Sequence, residues 1–593
     1  MDDLGRRDLL KGAGALVALH AAGLSSPVAA GAAPDPAFAW GVASFDPTAT
    51  SVLLWTRLAV SGSPPVELSW TIARDEALTD VAASGSVEVS PATDGCAIVE
   101  ATGLSPDGTW WFAFITEDGA RSPVGRTRTM RTAAVERLRL GVVSCSRYAS
   151  GGFAAYRALA EREVDLVVHV GDYIYEDGKA GERPHEPPEE LVALDQYRAR
   201  YAQHRLDPDL QALHARHPMV AVWDDHEIAG NAWRGGAPGH DEATDGPWID
   251  RLRAAGQAYS EWVPGRTSRS SVDGRLQAWR TLSLGGLAEL VVLDTRSWGR
   301  DRQPASAAEL GGPPEGGAPG SSRTILGEDQ MRFATERLAG TDRAPRPPWV
   351  LLANQVMFHP LEVPVPVGSL AQAVEDEGFL VVDGKAVNPD QWDGYPQDRD
   401  RLVEAAGDQG GVVVLTGDVH SSWAWEGPTT AAGGGPAMVE LVTPSVSTEA
   451  LADRLPVPAG AVEAALSGLS DDLSHVELSS HGYLLVDLDA DRVQGEWWYV
   501  DPDDASSARF GAARSAPRAV PMRLTEVDEP LPEPQGRSAP TPTTSRKAAS
   551  PSSEPDDDGG DLPALVAGAG AVAVTALAGA TVALRRRRPR PSP

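Results

Sequence analysis

Six apolar runs, each stopping abruptly at a cluster of polar residues, constrain this chain more than any other feature. They are "ERLRLGVVSCS", "VDLVVHVGDYIYED", "PMVAVWDDHEIAGNAW", "LAELVVLDTRSWGRD", "PWVLLANQVMF" and "GGVVVLTGDVHSSW". The runs are near-continuously apolar rather than alternating, which predicts strands covered on both faces. The helical stretch "GFAAYRALAER" lies between the first two and makes a strand, helix, strand unit of buried sheet. In such sheets functional side chains collect at strand ends.

Taken singly, each ending has a plain structural explanation. Gly171-Asp172 is a turn, and Asp418-Val419-His420 a turn with a half-buried histidine. Asp224-Asp225-His226-Glu227 reads as a helix cap with an acidic first turn, and Cys145 as inert core. The conjunction favours function. Chance seldom puts Cys145, the pair Asp172 and Tyr175, Asp225 with His226, Asn354, and Asp418 with His420 each at the end of an apolar strand. The pattern predicts that they share one rim.

The chain has 593 residues, too many for one ordinary domain. Residues 36–132 carry short alternating runs such as "SVLLWTRL", "VELSWTIA" and "TWWFAFIT" between Pro, Gly and Asp turns. These predict an all-β sandwich of the immunoglobulin or fibronectin kind. The catalytic region is expected over 137–525. Residues 526–561, rich in Pro, Ser and acidic side chains, predict an extended stalk. The excess of 83 acidic over 52 basic residues, net −31, argues against a nucleic-acid-binding surface. Only Cys96 and Cys145 occur, so no disulfide framework holds the fold. Cys96 is expected as a small buried hydrophobe.

The ends suggest an address. Arg6-Arg7 before a weakly apolar stretch, with small residues to about position 32, is read as a twin-arginine export signal, with the export machinery as a partner. The uncharged "LPALVAGAGAVAVTALAGATVAL" (562–584), followed by "RRRR", is read as a transmembrane helix with a cytoplasmic basic tail at 585–593. No LPxTG sorting peptide precedes it. A single-pass anchor with the catalytic domain outside the cell, and a monomer, are the resulting expectations.

The motifs "VVSCSRY", "GDYIYED", "WDDHE", "VVLDTRSWGRD", "NQVMF" and "LTGDVHSSW", in that order, resemble the PhoD-like alkaline phosphatases and phosphodiesterases. These are relatives of the calcineurin-like metallophosphoesterases and purple acid phosphatases. "GVASFDPTATSVLLWTRL" is similar to the β-sandwich that precedes their catalytic domain, and the resemblance spans about residues 36–520. It implies a four-layer α/β catalytic domain, two mixed sheets flanked by helices, with metals at the sheet rim. It also implies a ferric ion held by Cys145, Asp172, Tyr175 and His420. Calcium would be held by Asp172 as bridge with Asp225, Asn354 and Asp418.

The donor chemistry agrees, since thiolate, phenolate and imidazole suit a transition metal and carboxylate or amide oxygens suit a hard ion. Tyr175 follows Asp172 by three, so that both can turn to one centre while Tyr173 and Ile174 face elsewhere. The reaction expected is hydrolysis of phosphomonoesters or phosphodiesters by a hydroxide held on the ions, serving phosphate scavenging. His226 is expected to contact phosphate or to protonate the leaving oxygen; its alternative is to orient an aspartate. Arg147 is expected to contact phosphate and Arg296 to pair with Asp294 or a neighbouring carboxylate. Glu227 and Asn231 are weaker candidates, and Asn354 has a strand-end hydrogen-bonding role as its alternative. Trp298-Gly299 departs from the single tyrosine of many relatives. The loops 179–190 and 303–323 either shape access or are solvated links. Phospholipase D-like cleavage near the anchor, and an inactive surface-binding module, are the other readings.

Overall fold

Apolar strands need cover on both faces, and the fold supplies it by packing two mixed sheets against each other. In the computed structural model the described residues are 35–534 except 60–64, 133–135, 268–270, 273, 319, 342–345, 362, 365–378, 429–434 and 455–457. In the first sheet Leu138–Val143, Leu166–His169 and Met219–Ala221 run parallel, and Gly482–Leu488 pairs antiparallel beside them. In the second, Ala288–Val292, Trp349–Ala353, Val412–Thr416 and Met438–Val442 run parallel. A period of two sorts their side chains. Leu290, Leu351, Val413 and Leu415 face the first sheet, whereas Val291, Val350, Leu352 and Val414 face the helices Gly327–Ala339 and Pro396–Ala406. The helix Ala154–Ala160 covers the outer face of the first sheet, where a Cβ on Gly141 would come within 2.8 Å of Leu159.

This is the expected helix, sheet, sheet, helix layering, and it places the carboxyl ends of both sets of parallel strands at one rim. A bridge between Ser144 and Ser445 joins the two sheets there.

Between residues 36 and 128 a four-stranded sheet and three further strands enclose a core of Leu54, Ile72, Trp110, Phe112 and Phe114. The domain is less separate than its patterning suggests. Val42–Phe45 meets Met219–Ala221 in parallel at Phe45 and Met219, so that strands of the N-terminal domain extend the catalytic sheet to ten strands. Just beyond that junction Asp46 is fully buried and accepts two hydrogen bonds of 2.7 Å from the Arg280 guanidinium, one on each oxygen. At the other end, Thr525–Val527 is a strand, and Leu531 N–H donates to Glu496. Packed chain therefore continues to 534, past the expected start of the stalk at 526.

The membrane expectation is corrected. No helix of the described residues is long and apolar enough to cross a membrane. The longest, Trp248–Trp262, has 15 residues, about 22 Å at ~1.5 Å each against a hydrocarbon core of ~30 Å. It also carries Asp250, Arg251 and Arg253. The segment 562–584, on which the C-terminal transmembrane helix and single-pass location rested, lies outside the described residues, as does the expected signal at 1–32.

Replacing Asp46 by Ala leaves the Arg280 cation buried without its carboxylate. The variant is expected to lose about 3–5 kcal/mol of unfolding free energy, read by urea denaturation. A loss below about 1 kcal/mol would show that this pair does not fasten the two domains.

Candidate metal centre

All seven expected ligands arrive on five loops that leave parallel strands of the two sheets. Cys145, Asp172, Asp418 and His420 have φ of 60°, 58°, 64° and 50°. Left-handed backbone at non-glycine residues is costly and persists where the surroundings fix it, commonly at functional sites. Gly171, at φ 114°, passes so close to the neighbouring loop that a Cβ would lie 2.5 Å from the Asp224 Cβ.

Ligand atoms of Cys145, Asp172 and His420 lie within 4.8 Å of one another, as do those of Asp172, Asp225 and His226, and those of Asp224, Asp225 and Asp418. Tyr175 joins the first group: its hydroxyl donates to Asp172 Oδ2 at 2.8 Å and lies 3.4 Å from His420 Nε2. The other His420 nitrogen, Nδ1, donates to the Glu449 carbonyl at 3.1 Å. That bond leaves Nε2 as a lone pair facing the group, the tautomer a metal requires. Burial, then the repulsion of Arg454 and His226, holds the imidazole neutral. Burial, then the Asp172 charge, pushes the Cys145 thiol and Tyr175 phenol up, so both keep their protons until a cation displaces them.

Two buried carboxylate oxygens, Asp172 Oδ1 and Asp225 Oδ1, have no hydrogen-bond partner. An unsatisfied buried carboxylate oxygen is expensive, and a cation is the natural partner for one. The residues therefore fit metal binding.

Tyr173 is turned away, its hydroxyl 2.8 Å from His214 in the core. Asn354 stands at its strand end, but its amide is occupied: Oδ1 accepts from Trp392 Nε1 at 2.9 Å, and the NH2 donates to Thr416 and Val356. Arg147 is held by Asp177 and lies over the Tyr175 ring, 5.5 Å from its centroid. Asn231 holds the Asp225 carboxylate through its backbone N–H.

Arg296 does not pair with Asp294. Its fully buried guanidinium binds Asp224, forks onto Asp390 at 2.9 and 2.8 Å, and lies 3.6 and 3.7 Å from Asp225 and Asp418. Burial alone would push Asp225 up, but Arg296 and His226 outweigh it and hold that carboxyl low. His226 has the complementary environment. Burial disfavours its charge, yet Glu176, 2.6 Å from Nδ1, together with Asp225 and Asp172, raises it well above its ordinary value. Its remaining N–H lies on the ring edge away from Glu176.

Glu227 accepts the backbone N–H groups of Asp172, Tyr173 and Asp224, tying the loops after Leu166–His169 and Met219–Ala221 together. Glu176 and Asp390 were not singled out in the sequence. Glu176 sits inside "GDYIYED", four residues after Asp172, and Asp390 lies in an irregular loop with no apolar strand to flag it.

A family model described as "PhoD-like phosphatase" matches residues 140–497, more than half of the chain. The chain belongs to the PhoD-like phosphatase family. A model of the family's N-terminal domain matches residues 23–131. Alkaline phosphatase D of Bacillus subtilis (strain 168) is 35% identical over 444 residues, 71% of this chain and 72% of that protein. A solved structure titled "Structure of PhoD" superposes with a TM-score of 0.70 at 29% identity, over 85% of this chain and 94% of that one. This chain is accordingly a hydrolase of phosphoester bonds, in a metal-dependent family.

Burial pushes Asp172 up to about 7, with Asp225 and Asp418 adding to the rise and His226 opposing it. A carboxyl raised from 3.8 stabilises the metal-free fold at low pH and loses that contribution as pH climbs to about 7. The stability of metal-free enzyme relative to Asp172→Asn is therefore expected to fall between about pH 4 and pH 7, while affinity for metal ions rises. Urea denaturation and chelator titration read the two trends, and a flat difference across that interval contradicts the environment described for Asp172.

Proposed function

We propose that this chain hydrolyses phosphomonoesters and phosphodiesters at the strand-end rim, releasing phosphate that can be taken up. Cys145, Asp172, Tyr175 and His420 would hold a ferric ion. Asp172, Asp225 and Asp418 would hold calcium, with Asn354 joining them if its amide oxygen turns from Trp392. The observation that carries this reading is the pair of buried oxygens without a hydrogen bond, Asp172 Oδ1 and Asp225 Oδ1, next to a buried thiol, phenol and imidazole lone pair. When bound, such ions neutralise phosphoryl oxygens and make a nucleophile of water at neutral pH.

The chain's own groups supply the rest. Arg296 and the backbone N–H of Asn231 fix the Asp225 carboxylate. His226, with Glu176 behind it, is a charged N–H donor whose side chain is 24% exposed, open enough to meet a substrate. It is placed to give a proton to the departing ester oxygen. A cleft of about 590 Å³ opens beside Asp418 and His420, with an apolar wall that includes Leu361, Phe379, Val462 and Leu466. It has room for the organic part of an ester. The phospholipase D-like reading leaned on a membrane anchor and loses that support. The inactive module is set aside by membership of an enzyme family with its candidate ligands together.

His226→Gln keeps a polar side chain but cannot carry the proton. It is expected to lower kcat by about 10²–10⁴-fold for an alkyl phosphate. Loss should be far smaller for p-nitrophenyl phosphate, whose leaving oxygen needs no proton. Equal losses on both esters, with metal content unchanged, would assign His226 to phosphate contact instead.

A further inference from the structure

A site that gathers Asp172, Asp225, Asp418 and Asp390 must still admit a phosphate dianion, which a positive group at the cleft side would favour. The guanidinium groups around it are mostly committed. Arg147 is bound to Asp177, Arg300 to Asp390, and Arg296 to Asp224 and Asp390. Arg454 differs. It lines the cleft together with Asp418 and His420, is half-buried, and has no carboxylate partner among the described residues.

Among the described residues, its side chain has one neighbour in hydrogen-bond range, His420 Nδ1 at 3.4 Å. That nitrogen carries a hydrogen and donates it in a hydrogen bond to the Glu449 carbonyl, so it has no lone pair to offer and the Arg454 donors stay free. The backbone beneath is held in place: Leu451 N–H donates to the His420 carbonyl at 3.2 Å, Ala452 N–H to Leu478 at 2.9 Å, and Ala450 N–H to the Asp453 carboxylate at 3.0 Å. A short helical turn thus presents a planar, permanently charged fork at the junction of metal centre and cleft.

We propose that Arg454 grips the phosphate group of the substrate from the cleft side, the task the sequence suggested for Arg147. The assignment rests on the phosphoesterase reading above. Arg454 contributes charge-assisted hydrogen bonds to oxygens that do not face the ions, and so governs binding of the phosphate more than the rate of its transfer.

The test titrates inorganic phosphate into metal-loaded enzyme by calorimetry, and as an inhibitor of p-nitrophenyl phosphate hydrolysis, for wild type, Arg454→Ala and Arg454→Lys. Arg454→Ala is expected to weaken phosphate binding and raise KM by about tenfold or more, with iron and calcium contents unchanged. Arg454→Lys should recover part of the loss, since it restores charge without the fork. Unchanged phosphate affinity in Arg454→Ala overturns the proposal. A fall in its metal content also overturns it, because Arg454 would then act by holding His420. Failure of the wild type to hydrolyse esters would count against the phosphoesterase reading instead, and the calorimetric comparison would still decide the role of Arg454.

Discussion

The buried guanidinium of Arg296 is the interaction on which the rest of this site depends. Four strand-end or loop carboxylates, Asp224, Asp225, Asp390 and Asp418, converge at a largely buried spot, and like charges at such separations oppose folding. Arg296 meets all of them from one place. It also links four loops that are far apart in the chain, after Met219–Ala221, after Ala288–Val292, around Asp390 and after Val412–Thr416. A guanidinium suits this work because its five donors lie in a fixed plane and it stays charged when buried. Since Asp224 and Asp390 take its shortest contacts, Asp225 and Asp418 keep oxygens for another cation.

Around this clamp lies a second layer of polar groups that aims the ligands. Glu227 gathers three backbone N–H groups from two loops, the Glu449 backbone carbonyl accepts a hydrogen bond from His420 Nδ1, and Glu176 holds His226. Thr448 lies 2.9 Å from the Tyr175 hydroxyl and donates to the Cys145 carbonyl at 2.7 Å. Left-handed backbone at Cys145, Asp172, Asp418 and His420 is the local cost of turning these side chains inward, and the close packing of Gly171 on Asp224 leaves no slack. A rim built this way is prepared for cations before any arrive.

The apolar strands and their polar endings were legible because burial on both faces and an abrupt change of polarity are local properties. The rim followed from them, as did the turning away of Tyr173. What the sequence hid depends on contacts between distant residues. Arg296 pairs across 72 and 94 positions with Asp224 and Asp390, and no local pattern marks that choice over its neighbour Asp294. Arg147 looked free for phosphate until Asp177 took it. Asn354 looked available as a ligand until the Trp392 indole reached its oxygen. The N-terminal strands read as a sandwich, but nothing in alternation says that Val42–Phe45 continues the catalytic sheet. The membrane helix inferred from 562–584 rested on an uncharged stretch and the arginines that follow it, and the described helices give it no support.

The central claim is that Cys145 and Tyr175 share one transition-metal site through Asp172 and His420. Elemental analysis with a visible absorption spectrum, on enzyme purified without chelators, tests it most directly. The account expects calcium, about one iron per chain, and a charge-transfer band that shifts or disappears in Tyr175→Phe. A colourless, iron-free enzyme with full activity would contradict it.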